Sequence, residues 1–137
     1  MFQLNDRLKN DTVEIGRLEL SLLLLMNECS LPWVILVPER DGIKEIDELS
    51  ADDRILLIEE IAGVSQVIRH LYHPDKINVG ALGNLVQQLH VHVIGRFVTD
   101  RAWPGPIWGI GLMQPYHIDE LDKVLAQIRT ALNGRVK

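Results

Sequence analysis

Two histidines one residue apart, His90 and His92, stand in the run Gln88-Leu89-His90-Val91-His92-Val93-Ile94, where polar and apolar residues alternate strictly. Such alternation is the pattern of a β-strand, in which successive side chains point to opposite faces. Leu89, Val91 and Val93 are expected on a dry face, with Gln88, His90 and His92 on a wet one. A neutral imidazole nitrogen can attack phosphorus when its other nitrogen donates a hydrogen bond that fixes the tautomer. A second imidazole on the same face can donate to a phosphate oxygen as charge develops there. Two further readings are open on residue type alone. The pair can share a metal ion, with His70, His73 and His117 as the remaining histidines, or it can lie hydrogen-bonded on a quiet surface or exposed edge.

The stretch just upstream, Asn78-Val79-Gly80-Ala81-Leu82-Gly83-Asn84, favours the phosphorus chemistry. Gly83-Asn84 suits a tight turn. Glycine removes the Cβ that keeps a ligand from the backbone, and neighbouring backbone N–H groups make an anion pocket. Asn84 is placed to add a side-chain donor.

Gln88-x-His90-x-His92-x-x, each x apolar and preceded by Gly83-Asn84, resembles the motif of the histidine triad (HIT) family, with Gln88 at the position of the first histidine. The resemblance extends through Asn27 and the Pro-Trp-Val-Ile-Leu-Val-Pro segment from Pro32, and covers most of residues 10 to 110. It implies a nucleotidyl hydrolase or transferase that acts at an α-phosphate through a covalent nucleotidyl-histidine. Dinucleoside polyphosphates, diadenosine tetraphosphate among them, and nucleoside phosphoramidates are the implied substrates. By resemblance His90 is the nucleophile, the backbone carbonyl of residue 88 accepts its second ring hydrogen, and His92 and Gln88 complete the catalytic set. Asn27 and Asn78 are implied near the ribose, with the shaping of a turn and the support of the loop as their respective alternatives, Gly83 and Asn84 at the phosphate, and Arg96 on the histidine face, where a solvated strand end is the alternative. No metal or other cofactor is implied, and a homodimer is. Glutamine cannot shuttle a proton near neutral pH, so water, His92 or a good leaving group must take that role. The alternatives are a nucleotide-binding module with little turnover and a metal-dependent hydrolase built on the His-x-His pair.

Positioning such a site requires a sheet and its covering helices. The 137 residues, 47% of them hydrophobic, suffice for one domain with one core. A net charge of −5 gives no electrostatic affinity for nucleic-acid backbones, but leaves a single nucleotide in a local pocket possible. The lone cysteine, Cys29, fits a reducing cytoplasm, and the apolar run Leu22 to Met26 is far too short to span a bilayer.

In chain order, residues 1 to 10 read as a leading segment, with Asn10-Asp11 a turn. Val13 and Ile15 suggest a short strand closed by Gly16-Arg17, Leu18 to Met26 a buried central strand, and Trp33 to Val37 its antiparallel partner. Glu39 to Leu49 is charged and solvated. Ser50 with Asp53 resembles a capping box, opening a helix whose stripe is Leu57, Ile61, Val64, Ile68 and Leu71 and which ends at His73-Pro74. Strands Ile77 to Leu82 and Val86 to Phe97 follow, joined by the Gly83-Asn84 turn. The segment around Trp103 and Trp108 is too rich in proline and glycine for regular structure, and these tryptophans suit base stacking, loop burial or an interface between subunits. A last helix, Ile118 to Leu132, presents Leu121, Val124, Leu125, Ile128 and Leu132 and stops at Asn133-Gly134. The expected fold class is α+β: an antiparallel sheet of about five strands, one long helix and one C-terminal helix.

Overall fold

The computed structural model describes residues 1–136. It contains one antiparallel five-stranded sheet in the order β1-β2-β3-β5-β4, formed by β1 (Thr12–Arg17), β2 (Ser21–Met26), β3 (Trp33–Pro38), β4 (Lys76–Gly80) and β5 (Val91–Arg96). Helices α1 (Asp6–Asp11), α2 (Ala51–Tyr72) and α3 (Ile118–Ala131) and a short 3-10 helix at Ile46–Glu48 complete it. The expected fold class stands, with the site-bearing strand β5 held between β3 and β4.

β2 and β3 are buried on both faces, as their unbroken apolar runs require. Leu23, Leu25, Val34, Leu36 and Val93 point to one side, where Val64 and Ile68 of α2 and Leu125 and Ile128 of α3 meet them. Leu22, Leu24, Trp33, Ile35 and Ile94 point to the other, covered by Leu8, Val86 and Ile107 and flanked by Phe2, Leu4 and Trp108. Burying one such side chain stabilises by about 1.5–3 kcal/mol, so two packed faces fix the strands' orientation firmly. β5 therefore has no wet face. All six of its residues are buried, and the polar side of the alternation is covered by the chain's own loops.

α2 has the expected stripe, with Leu57, Val64 and Ile68 buried and Ile61 and Leu71 packed at its margin. Ser50 Oγ accepts from Asp53 N at 3.1 Å, but the Asp53 carboxylate turns away to Arg40 at 2.7 and 3.0 Å, so only half of the expected capping box forms. The helix ends at His73, which is left-handed at φ 51, just before Pro74.

Three further expectations are corrected. The leading segment contains helix α1, capped by Asn5 and with Leu8 as its only buried residue, too short to show a period. β5 begins at Val91, not Val86, because the Leu89 amide donates to Ile43 O at 3.0 Å and leaves the sheet. β4 ends at Gly80, so residues 81–90 form a long loop in place of a tight Gly83-Asn84 hairpin, with Gly83 at φ 70 inside it.

Candidate active site

β5 delivers His92 to the centre of the sheet, opposite Ile35 of β3 and Gly80 of β4, on the face turned away from α2. It is 5% exposed. Trp33, on the same face of β3, donates its Nε1–H to His92 Nδ1 at 2.9 Å. Indole nitrogen only donates, so Nδ1 is the bare nitrogen and the neutral ring carries its hydrogen on Nε2. Trp108 closes another side edge-on, with ring centroids 5.4 Å apart. A Cβ at residue 80 would lie 2.9 Å from Trp108 Cη2, so the indole occupies the space that only glycine leaves. Burial, with a contribution from His90, pushes the His92 pKa from its ordinary 6.5 down to about 4. His92 is thus neutral near pH 7.

His90 lies just ahead of the strand and is 7% exposed. Its Nδ1 is 2.7 Å from the Gln88 carbonyl oxygen. A carbonyl only accepts, so Nδ1 carries the hydrogen and Nε2 keeps its lone pair. The two imidazoles meet edge to face with centroids 5.0 Å apart. His90 opens onto a cleft of about 600 Å³ shared with Gly83, Gln88, Lys44 and Arg54, and with Glu45 and Asp47 among the other lining residues.

Gln88 also borders this cleft, but its amide reaches away from the imidazoles. Oε1 accepts from Asn5 N and Nε2 donates to Gln3 O, each at 2.9 Å. Asn84 is exposed on the loop beside Gly83. Arg96 is no solvated strand end. It is 1% exposed, and its guanidinium donates to both carboxylate oxygens of Asp100 at 2.8 and 2.9 Å, to Asn78 Oδ1 at 2.8 Å and to Gly105 O at 2.8 Å. The paired Arg96 guanidinium, with backbone amides of the same loop, holds the Asp100 carboxyl well below the ordinary carboxylate range. Arg96 and Asn78 thus form a brace for the loop that carries Trp108. Asn27 lies beyond the end of β2, where its Oδ1 accepts from Tyr116 N at 2.9 Å. The structure therefore gathers Gly83, Gln88, His90 and His92, and places Asn78 and Arg96 in a separate network and Asn27 at a strand end.

Trp33 is the contact to His92 that sequence reading missed. It stands in a β-rich run like any core aromatic, and its role emerges only from the pairing of β3 with β5. Among the described residues, no three or more His, Cys, Asp and Glu side chains converge as a possible metal site, so the two imidazoles have no third ligand of these kinds. Among the same residues no helix is long and apolar enough to cross a membrane.

The family model for the HIT domain matches residues 7–99. A histidine triad protein from Marinobacter aquaeolei superposes with a TM-score of 0.96 at 43% identity, covering 99% of each chain. One from Sinorhizobium meliloti gives 0.93 at 44% identity over 96% of this chain and 98% of that one. A third, from Bradyrhizobium japonicum, gives 0.92 at 39% identity over 95% and 97%. A comparison with curated proteins finds no significant match. The chain belongs to the HIT domain family.

Proposed function

We propose that the protein is a nucleotidyl hydrolase or transferase that acts at the α-phosphate of a nucleotide conjugate, a dinucleoside polyphosphate or a nucleoside phosphoramidate, through a covalent nucleotidyl-His90. The observation that carries this reading is the opposite tautomers of the two imidazoles. His90 keeps a free Nε2 because its Nδ1–H is held by the Gln88 carbonyl, and His92 keeps an Nε2–H because its Nδ1 is held by Trp33. One ring is set up to attack and the other to donate.

In the first step the His90 Nε2 lone pair forms a bond to phosphorus while the bond to the leaving group breaks. The hydrogen on Nδ1 stays on the ring, and the positive charge that develops there is stabilised by the Gln88 carbonyl. His92 Nε2–H donates to a non-bridging oxygen, and water protonates the departing group where it needs a proton. In the second step water or another hydroxyl acceptor loses its proton to solvent as it attacks phosphorus, and the P–N bond breaks with its electron pair returning to Nε2, restoring neutral His90. Lys44 and Arg54 supply cations to the phosphates, while Glu45 and Asp47 keep the cleft from being uniformly basic.

The test is acid quenching of enzyme mixed with a diadenosine polyphosphate, followed by mass spectrometry of the peptide bearing His90. A nucleotidyl adduct on His90 supports the reading. Turnover without it overturns the reading, and tight binding without adduct or turnover identifies a binding module. The proposal extends to a homodimer in a reducing cytoplasm, supported by the exposed side chains of Ile110, Leu112 and Met113 and the exposed free thiol of Cys29. Sedimentation at micromolar concentration gives a dimer if this holds and a monomer if it does not.

A further inference from the structure

The side chain of Gln88 makes an arrangement that needs a primary amide at the end of a chain of this length. Its Oε1 accepts from the amide of Asn5 and its Nε2 donates to the carbonyl of Gln3, so one primary amide spans two backbone groups on either side of Leu4. This is the pattern that a strand residue makes when it pairs with its neighbour. A glutamate has no donor at neutral pH, and the donor and acceptor of an imidazole flank Cε1 but point away from each other, so neither bridges the two groups as the side-by-side O and N–H of an amide do.

The strap formed by residues 1–5 is anchored independently of Gln88. Phe2 and Leu4 pack on the core beside the outer face of the sheet, and Asn5 caps α1, whose Leu8 is buried. On the other side, the peptide unit between residues 88 and 89 is bonded at both ends. Its amide donates to Ile43 O at 3.0 Å and its carbonyl faces His90 Nδ1 at 2.7 Å. The orientation of that carbonyl is therefore fixed from two directions, by Ile43 through the Leu89 amide and by the strap through the Gln88 side chain.

We propose that Gln88 is a positioning residue whose amide clamps the strap of residues 1–5 and thereby holds its own carbonyl against the Nδ1–H of His90. It acts through His90 and not on the leaving group. This rests on the reading of His90 as nucleophile for its catalytic consequence, but the clamp itself is a property of the free protein.

Two variants separate the clamp from general stability. Gln88→Met keeps the length of the side chain and removes both hydrogen bonds. Asn5→Pro removes the amide that Oε1 accepts, at a residue whose φ of −55 already suits proline, and Asn5→Ala is its control because it loses the cap but keeps the amide. The readouts are hydrogen exchange of the Asn5 amide, the ¹⁵N shifts of the His90 ring nitrogens at neutral pH, and the single-turnover rate of nucleotidylation. Gln88→Met is expected to speed Asn5 exchange roughly five- to tenfold, the loss of one hydrogen bond's net stabilisation. Gln88→Met and Asn5→Pro are both expected to move the His90 ¹⁵N shifts toward the other tautomer and to slow nucleotidylation, and Asn5→Ala to do neither. Unchanged His90 shifts in Gln88→Met, or equal shifts in Asn5→Pro and Asn5→Ala, overturn the clamp. Shifts that move as expected in a protein that forms no nucleotidyl-histidine leave the clamp standing and remove the proposed function instead.

Discussion

Trp33 and His92 sit on neighbouring strands and share one hydrogen bond, indole N–H to imidazole Nδ1, at 2.9 Å inside the core. The bond is one-way, because the indole cannot accept, and it therefore selects one neutral form of His92. Replacing Trp33 with Phe keeps most of the ring and removes the donor. A buried Nδ1 left without a partner costs about 1–3 kcal/mol. Trp33→Phe is expected to lose stability in that range in urea unfolding and to show both His92 tautomers in its ¹⁵N spectrum. A spectrum with the wild-type single tautomer would show that something other than the indole selects it.

The His92 titration sets a direction for stability against pH. Its pKa is about 4 in the folded protein and an ordinary 6.5 when unfolded, with burial the main cause and His90 the second. Between those values the unfolded chain binds more protons, so the contribution of this group to stability is complete above about 6.5, falls as pH falls, and is lost below about 4. The difference amounts to on the order of 3 kcal/mol. Urea unfolding between pH 7 and pH 4 should be steeper in wild type than in His92→Gln, which has no proton to take up. Parallel pH dependences in the two proteins would place the acid sensitivity elsewhere.

His90→Ala should abolish the covalent adduct and lower turnover by at least the roughly 10²- to 10⁴-fold typical of a proton-transfer group, since the nucleophile itself is gone. His90 precedes β5 and borders the cleft, so the fold should persist with a stability loss of about 1–2 kcal/mol. The adduct is read by mass spectrometry and the fold by near-ultraviolet circular dichroism. Wild-type turnover in this variant would contradict the assignment of the nucleophile.

Asp100→Ala should be the most damaging of these changes. It leaves the Arg96 guanidinium buried without its carboxylate and frees the backbone amides of Phe97, Ala102 and Trp103, which also donate to Asp100. Breaking a buried pair by removing one partner costs about 3–5 kcal/mol. Because Asp100 is held well below the ordinary carboxylate range, by Arg96 first, the stability it contributes is complete above that range and erodes as pH falls below it, where the unfolded chain takes up the proton first. Thermal unfolding of wild type and Asp100→Ala at neutral pH checks the cost, and a loss below 1 kcal/mol would mean that the brace is dispensable.

The frame of this fold was legible where one physical signal dominated. The stripe of α2 was readable because core contact forces a helical period, and β2 and β3 because burial on both faces leaves nothing but apolar residues. The run from Gln88 was readable as to chemistry but not as to geometry. Leu89 is buried as an alternating pattern requires, yet its amide pairs with Ile43, so the apolar period continues past the point where the ladder stops. The inferred carbonyl of residue 88 does lie at His90 Nδ1, since a backbone role survives a change of side chain. The direction of the Gln88 amide was not readable, because its partners are more than eighty positions away in the chain. Arg96 was placed on the correct face, but local sequence gave no sign that Asp100 and its loop cover that face.

Gly80 lies on the strand flanking β5, carries no functional group, and faces His92 only through its backbone. Yet the space beside its α-carbon is what lets Trp108 meet the imidazole edge-on and shield it from solvent. One added carbon there would act as a spacer, tilting the indole, admitting water and raising the local dielectric. The proton affinity of the central imidazole is thus governed in part by an atom that is not there, and the acid–base behaviour of this site can drift through changes at a position with no acid or base to lose.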